Sequence, residues 1–160
     1  MPRFKDVLLL VGQLNYTWTN TESLLIHMIA GLAGTDKETA IVIFLTLNTP
    51  RARMDLVERL AKLSKTPQAC RADVLDATRR LGEQAKLRNK YNHCIYSFDA
   101  DGESGLTQSM RIFESRDAVK YGKVEALDDV ELARIQDSIK TLIAINRTFW
   151  QITDRYGFPK

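Results

Sequence analysis

The sequence predicts an all-α fold, a helical bundle of about five helices with a small β-hairpin inserted before the last helix. Two observations predict it. Apolar residues recur every three to four positions through most of the chain, as at Leu56, Leu60 and Leu63, which is the spacing of one buried helix face. After His93 this pattern gives way to short, strand-like apolar runs. The length of 160 residues fits a single domain over 1–160.

Side chains that cap helix N termini delimit most of the helices. The helices are predicted over about residues 3–32, 36–47, 50–64, 67–93 and 129–154. The first begins in an apolar run and ends near Gly31 and Gly34. Each of the others follows a residue whose side-chain oxygen can accept from a free N–H group. These residues are Thr35 and Asp128, each with a glutamate three positions later as in a capping box, and Thr49 and Thr66, each followed by proline.

The predicted β structure lies between the last two helices. Residues 95–98 are rich in β-branched and aromatic side chains and predict a strand. Residues 99–105 contain two glycines and several Asp and Ser residues, which are typical of a turn. Residues 106–113 form the second strand candidate, and residues 121–126 are a candidate third strand.

Composition limits the class of protein. Cys70 and Cys94 match neither a disulfide framework nor metal-ligand spacing, so we expect a cytoplasmic protein with free thiols and no cofactor. No run of about twenty apolar residues is present, so we expect no membrane-spanning segment. Residues 51–93 carry eleven Lys or Arg against five Asp or Glu, a local charge of +6. The remaining residues carry twelve against fifteen, or −3. This asymmetry suits either a polyanionic partner or a solvated helix face.

The most informative segment runs from Arg88 through Asn89 to His93, at the end of the longest basic helix. Arginine binds phosphate with a planar fork of donors, and histidine exchanges protons near neutral pH. Asn89 and His93 are four residues apart on one helix face, where the amide can hold an imidazole nitrogen. Arg88 lies about 140° around the helix axis from His93, so its long side chain must bridge the difference.

This arginine, the polar residue after it and the histidine five residues beyond resemble the signature of the HEPN superfamily of small helical bundles. A frequent form of that signature has a small residue after the histidine, where this chain has Cys94. The resemblance implies a homodimeric, metal-independent endoribonuclease with Arg88, Asn89 and His93 as catalytic residues. It also implies a place in bacterial defence or a toxin–antitoxin system, with a protein antitoxin as a further partner.

Single-stranded RNA is the expected substrate, and Arg80, Lys86 and Lys90 are the expected RNA-binding residues, because they lie on the same helix as the motif. In the alternative, Arg88 pairs with an acidic residue such as Glu22 or Glu83, His93 caps the helix, and the chain is a non-catalytic HEPN-like binding module.

Two further expectations concern the first helix. His27 has apolar neighbours and is expected in the core or at an interface. Residues 7–11 are apolar around the whole helix circumference, so we expect this helix to be central in the core or shared with a second subunit.

Overall fold

The computed structural model describes residues 3–160 and is mostly helical, with antiparallel β structure before the last helix. Its helices are α1 (Arg3–Glu22), α2 (Leu25–Ala33), α3 (Lys37–Thr46), α4 (Pro50–Ala61), α5 (Gln68–Asn92) and α6 (Asp129–Arg155). Its strands are β1 (Cys94–Phe98), β2 (Gly105–Ser109), β3 (Ile112–Glu114), β4 (Val119–Tyr121) and β5 (Val124–Ala126). The predicted helical class with inserted β structure is therefore confirmed.

The first predicted helix is wrong in one respect, because it is interrupted after Glu22. The Thr21 hydroxyl donates to the Thr17 carbonyl at 2.8 Å, and the Ser23 hydroxyl donates to the Asn20 carbonyl at 2.8 Å. The Leu24 N–H then bonds only three residues back, to Thr21. Hydroxyl groups that bond to the preceding turn bend helices, and here the helix ends and α2 begins. The described chain therefore has six helices where five were predicted.

The cap chemistry is confirmed at two helices and displaced by one residue at a third. The Thr49 hydroxyl accepts from Ala52 N at 3.1 Å, and the Asp128 carboxylate accepts from Glu131 N at 2.9 Å. At α3 the capping residue is Asp36, which accepts from Thr39 N at 2.7 Å, and the predicted cap at Thr35 is wrong. A carboxylate binds the free N–H groups of a helix start at least as well as a hydroxyl does.

The inserted β structure is larger than the predicted hairpin. Strands β1, β2 and β5 form an antiparallel sheet in that order, and β3 and β4 form a separate two-stranded hairpin. The predicted strand 106–113 is broken at Met110 and Arg111, where β2 ends before β3 begins. Gly122 lies against this break, and a Cβ atom there would be 2.1 Å from the Ser109 carbonyl oxygen. Only glycine permits that close approach of the two chain segments.

The described chain divides into two compact units. One comprises the chain up to Tyr16 with Lys86–Lys140, and the other comprises Thr17–Ala85 with Thr141–Lys160. The second unit has an apolar core that includes Trp18, Met28, Leu81 and Phe149, all almost fully buried. The first unit holds the β structure and the end of α5. The single domain expected from chain length stays a prediction.

Candidate functional site at the end of helix α5

Arg88 lies in the last turn and a half of α5 and is held by two carboxamides. Its Nη1 donates to Asn89 Oδ1 at 3.1 Å. In the orientation that satisfies the Asn92 carboxamide, the Asn92 oxygen accepts from Arg88 Nε and Nη2, each at 3.0 Å. Two carboxamide oxygens that accept from one guanidinium restrict its orientation. The last turn of α5 therefore holds the Arg88 guanidinium in a fixed orientation.

The Asn89 side chain has a different hydrogen-bond partner from the one that its spacing predicted. Its oxygen binds Arg88 rather than orienting the His93 imidazole. Asn92 was missed from the sequence, although it stands four residues after Arg88 on the same helix face. That spacing is the signal that could have identified it.

His93 is the first residue after α5, and its backbone is held on both sides. The His93 N–H donates to the Asn89 carbonyl at 3.1 Å, and its own carbonyl accepts from Met110 N at 3.2 Å. The side chain is exposed. Within residues 3–160 the imidazole makes no hydrogen bond, so it is available to a ligand.

Lys90 was predicted to bind RNA, but the structure places it in an internal cluster. It forms ion pairs with Glu125 and, at 3.0 Å, with Glu131, and it lies 5.3 Å from the centre of the Tyr91 ring. The Tyr91 hydroxyl donates to Glu131, and Arg134 donates to the same carboxylate at 2.7 Å. A lysine with two carboxylate partners is poorly available to phosphate. RNA binding by Lys90 stays a prediction, and the proposed mechanism does not involve it.

The pKa values in this cluster report tight pairing. Burial raises the pKa of Glu131, but hydrogen bonds from Tyr91, Lys90 and Arg134 outweigh it, so the pKa lies below its usual value. Burial lowers the pKa of Lys90, and its bonds to the two glutamates more than reverse this. Burial, then the hydrogen bond to Glu131, raises the pKa of Tyr91. The cluster fixes α5 to β5 and to the start of α6 within this unit.

The other two predicted RNA-binding residues differ from Lys90. Lys86 is exposed and Arg80 is half-buried, and neither has a side-chain hydrogen bond or ion pair within residues 3–160. Their neighbour Arg79 is bound to Asp76 at 2.8 Å and Glu83 at 2.5 Å. The basic surface of α5 is therefore smaller than the count of its cations suggests.

The carboxylates considered as alternative partners of Arg88 are both bound to other arginines. Glu83 pairs with Arg79. Glu22 is buried, pairs with Arg53 and accepts from Trp18 Nε1 at 2.9 Å. Glu22, the last residue of α1, therefore belongs to a buried ion pair of the second unit.

His27 has the structural place expected from its neighbours. It is buried, its Nδ1 is 2.8 Å from the Pro159 carbonyl oxygen, and its ring lies 5.0 Å from that of Trp150. This leaves His93 as the histidine that can meet a ligand.

Three general properties complete the description of residues 3–160. They contain no group of three or more His, Cys, Asp or Glu side chains arranged as metal ligands. Both cysteines are free thiols. None of the described helices is long and apolar enough to cross a membrane.

No protein-family model, no curated protein and no solved structure matches this chain. The functional conclusions therefore depend on the chemistry of the residues themselves.

Proposed function

We propose that this protein is a metal-independent endoribonuclease of HEPN type that acts as a homodimer on single-stranded RNA. The observation that carries the proposal is an exposed imidazole at His93 that directly follows a helix turn holding an oriented guanidinium at Arg88. These two groups supply the proton transfer and the positive charge that cleavage of a phosphodiester by its own 2′-hydroxyl requires.

The reaction balances without a co-reactant. A neutral imidazole takes the proton from the 2′-hydroxyl, and the 2′-oxygen bonds to phosphorus. A protonated imidazole gives a proton to the departing 5′-oxygen as its bond to phosphorus breaks. Arg88 stabilises the negative charge of the five-coordinate phosphorane between these steps. The products are a 2′,3′-cyclic phosphate and a 5′-hydroxyl end.

Asn89 and Asn92 are positioning residues in this mechanism. Each accepts a hydrogen bond from the guanidinium, so Arg88 loses rotational freedom before substrate arrives. Preorganised donors act mainly by avoiding reorganisation during the reaction. Lys90 has no role at the phosphate in this proposal.

The reaction uses a base and an acid, and one chain supplies a single exposed histidine. A two-fold dimer would supply the second as His93 of another copy. The outer side of α1 suits such an interface. Leu8, Leu9 and Tyr16 are exposed at 57%, 59% and 70%, and residues 7–21 contain no charged side chain. Interface cores are depleted of charge and enriched in tyrosine.

Gly12 lies in the middle of this surface. A glycine inside a helix costs roughly 0.5–1 kcal/mol relative to alanine. A Cβ atom at Gly12 would meet no other atom within 4 Å, so packing within the described chain does not require it. The absence of a side chain at Gly12 would let the α1 helices of two copies approach each other closely.

The dimer is tested by replacing Gly12 with lysine. The Gly12→Lys variant introduces a better helix former at an open position, so the monomer should fold, while the charge blocks the contact. Sedimentation should show a wild-type dimer and a variant monomer. A wild-type monomer at high micromolar concentration would rule out both the dimer and the composite site.

Catalysis is tested with labelled single-stranded RNA in EDTA. Wild type should cleave it and leave a 2′,3′-cyclic phosphate or its hydrolysis product. His93→Ala should slow cleavage by roughly 10²- to 10⁴-fold, and Arg147→Ala, which removes an exposed cation from α6, should not. Loss of wild-type activity on chelation would contradict the mechanism.

A non-catalytic binding module is the second candidate, favoured by the β3–β4 hairpin, whose residues are all exposed. RNA binding with no cleavage by a confirmed dimer would support it. The cellular role in defence or toxin–antitoxin biology is tested by expression. Wild type should slow host growth, His93→Ala should not, and a protein antitoxin should relieve the effect.

A further inference from the structure

A cavity of about 520 Å³ opens on the first unit where the two β-sheets approach each other. Its walls are mostly apolar and come from Ile95, Met110, Ile112 and Tyr121. Ile112 and Tyr121 are directly paired across β3 and β4, so their side chains lie on the same face of the hairpin. Tyr121 lines the cavity and is 66% exposed.

Two polar side chains also line the cavity. Gln108 donates from Nε2 to the Gly122 carbonyl at 3.3 Å, which leaves its carboxamide oxygen without a donor within residues 3–160. Arg111 is exposed, and its side chain has no hydrogen bond or ion pair within residues 3–160. The cavity thus combines an aromatic ring, apolar walls, an acceptor and a cation. These are the groups that bind an unstacked nucleobase and its phosphate.

Two residues that line the cavity are neighbours of His93. Met110, which lines it, donates from its N–H to the His93 carbonyl at 3.2 Å. Ile95, which also lines the cavity, is the second residue after His93. A strand whose phosphate is bound at His93 therefore has a neighbouring nucleotide within reach of the cavity.

We infer that this cavity is a nucleobase-binding pocket for the nucleotide next to the cleaved phosphate. The inference rests on the proposed function and adds the determinant of base preference. Tyr121 stacks on the base, Gln108 accepts a hydrogen bond from its edge, and Arg111 binds the adjoining phosphate. An apolar peptide would leave the exposed Arg111 guanidinium without an anionic partner, whereas a nucleotide supplies its phosphate.

The experiment measures binding of fluorescent ten-nucleotide homopolymers of 2′-O-methyl RNA, whose blocked 2′-oxygen prevents cleavage. Fluorescence anisotropy gives the Kd of each homopolymer in EDTA. We expect wild type to prefer some bases over others. Tyr121→Ala should weaken binding by roughly 5- to 150-fold for the preferred base and reduce the preference, which is the loss expected from one stacked base. Tyr121→Phe should retain both the wild-type affinity and the base preference.

Phe113→Ala is the matched control. Phe113 is a 54% exposed aromatic residue in the same hairpin, but it pairs with Lys120 and does not line the cavity. Its removal should leave the base preference unchanged. An equal loss in both variants, or no loss in Tyr121→Ala, would overturn the pocket.

The outcomes separate the pocket from the enzyme. Unchanged binding by Tyr121→Ala, together with wild-type cleavage in EDTA, removes the pocket and leaves the nuclease. If light scattering shows a dimer for wild type and a monomer for Tyr121→Ala, the cavity binds a second copy and the inference is overturned. If the wild type neither binds nor cleaves RNA, both proposals are overturned.

Discussion

The end of α5 and the residue after it contain two groups of polar residues in different environments. Lys90 and Tyr91 are enclosed in a cluster with Glu125 and Glu131, where each polar group has a partner. Arg88 is bound by carboxamides, and His93 is exposed. The interactions of the first group hold α5 to β5 and to the start of α6. In the second group, carboxamides orient the Arg88 guanidinium and the His93 imidazole is exposed.

This difference shows why a basic helix cannot be interpreted by counting its cations. Lys86 and Lys90 have the same side chain on the same helix, and only Lys86 is exposed with no partner in the described chain. The deciding information is the position of Glu125 and Glu131, which lie more than thirty residues further along the sequence.

The largest expected effect on stability is at Glu131, which anchors the enclosed cluster. Glu131→Ala leaves the Tyr91 hydroxyl buried without its acceptor and deprives Lys90 of one of two carboxylates. We expect a loss of about 3 kcal/mol in the free energy of unfolding. In a chain of this length that lowers Tm by roughly 6–12 °C. Glu83→Ala removes an exposed ion pair and should cost about 0.5 kcal/mol in the same calorimetric measurement.

The enclosed cluster should also make stability depend on acid. The pKa of Glu131 in the folded protein is below the ordinary value of 4.5, because its hydrogen bonds outweigh burial. The stability that it contributes is present above pH 4.5 and is lost as the pH falls through the lower folded-state pKa. Tm should fall on acidification below that pH, and it should fall less in Glu131→Gln. Equal slopes in the two proteins would show that another carboxylate controls the transition.

Arg88 should be far less important for folding. Its described hydrogen bonds are to the carboxamides of Asn89 and Asn92, and it is only half-buried. We expect Arg88→Ala to change the free energy of unfolding by less than about 1 kcal/mol. A fall in Tm well beyond 10 °C would identify Arg88 as a structural residue and would remove it from the proposed site.

The smallest effect concerns RNA affinity at Lys86 and Lys90. A lysine that binds a phosphate of single-stranded RNA contributes about 0.7 to the slope of log K against log salt. Lys86→Ala should reduce the slope by that amount, and Lys90→Ala should leave it unchanged, because Lys90 is already paired. A reduced slope in Lys90→Ala would mean that RNA displaces Glu125 or Glu131.

Local signals in the sequence predicted most of the fold. The Thr49 and Asp128 caps confirm that cap chemistry is local, since each involves side chains and N–H groups within three residues. The break in α1 was not predicted, because it depends on hydroxyl groups that bond to the preceding turn. The number of strands was underestimated because the second predicted strand is divided after Ser109, where Gly122 closely approaches the backbone.

The candidate site was only partly predictable. The residues at positions 88 and 93 stand out by chemical type, and Asn92 could have been added from helical spacing. The cavity at Tyr121 could not be predicted, since its walls come from four strands and the link between two of them. The fate of Lys90 likewise depends on tertiary contacts.

One measurement tests the division between the two groups most directly. Single-turnover cleavage of single-stranded RNA in EDTA is compared for wild type, Arg88→Ala and Lys90→Ala, at a temperature where all three are folded by circular dichroism. We expect Arg88→Ala to be slower by roughly 10²- to 10³-fold, as for loss of one preorganised donor, and Lys90→Ala to retain the wild-type rate. A wild-type rate in Arg88→Ala, or a larger loss in Lys90→Ala, would contradict the account.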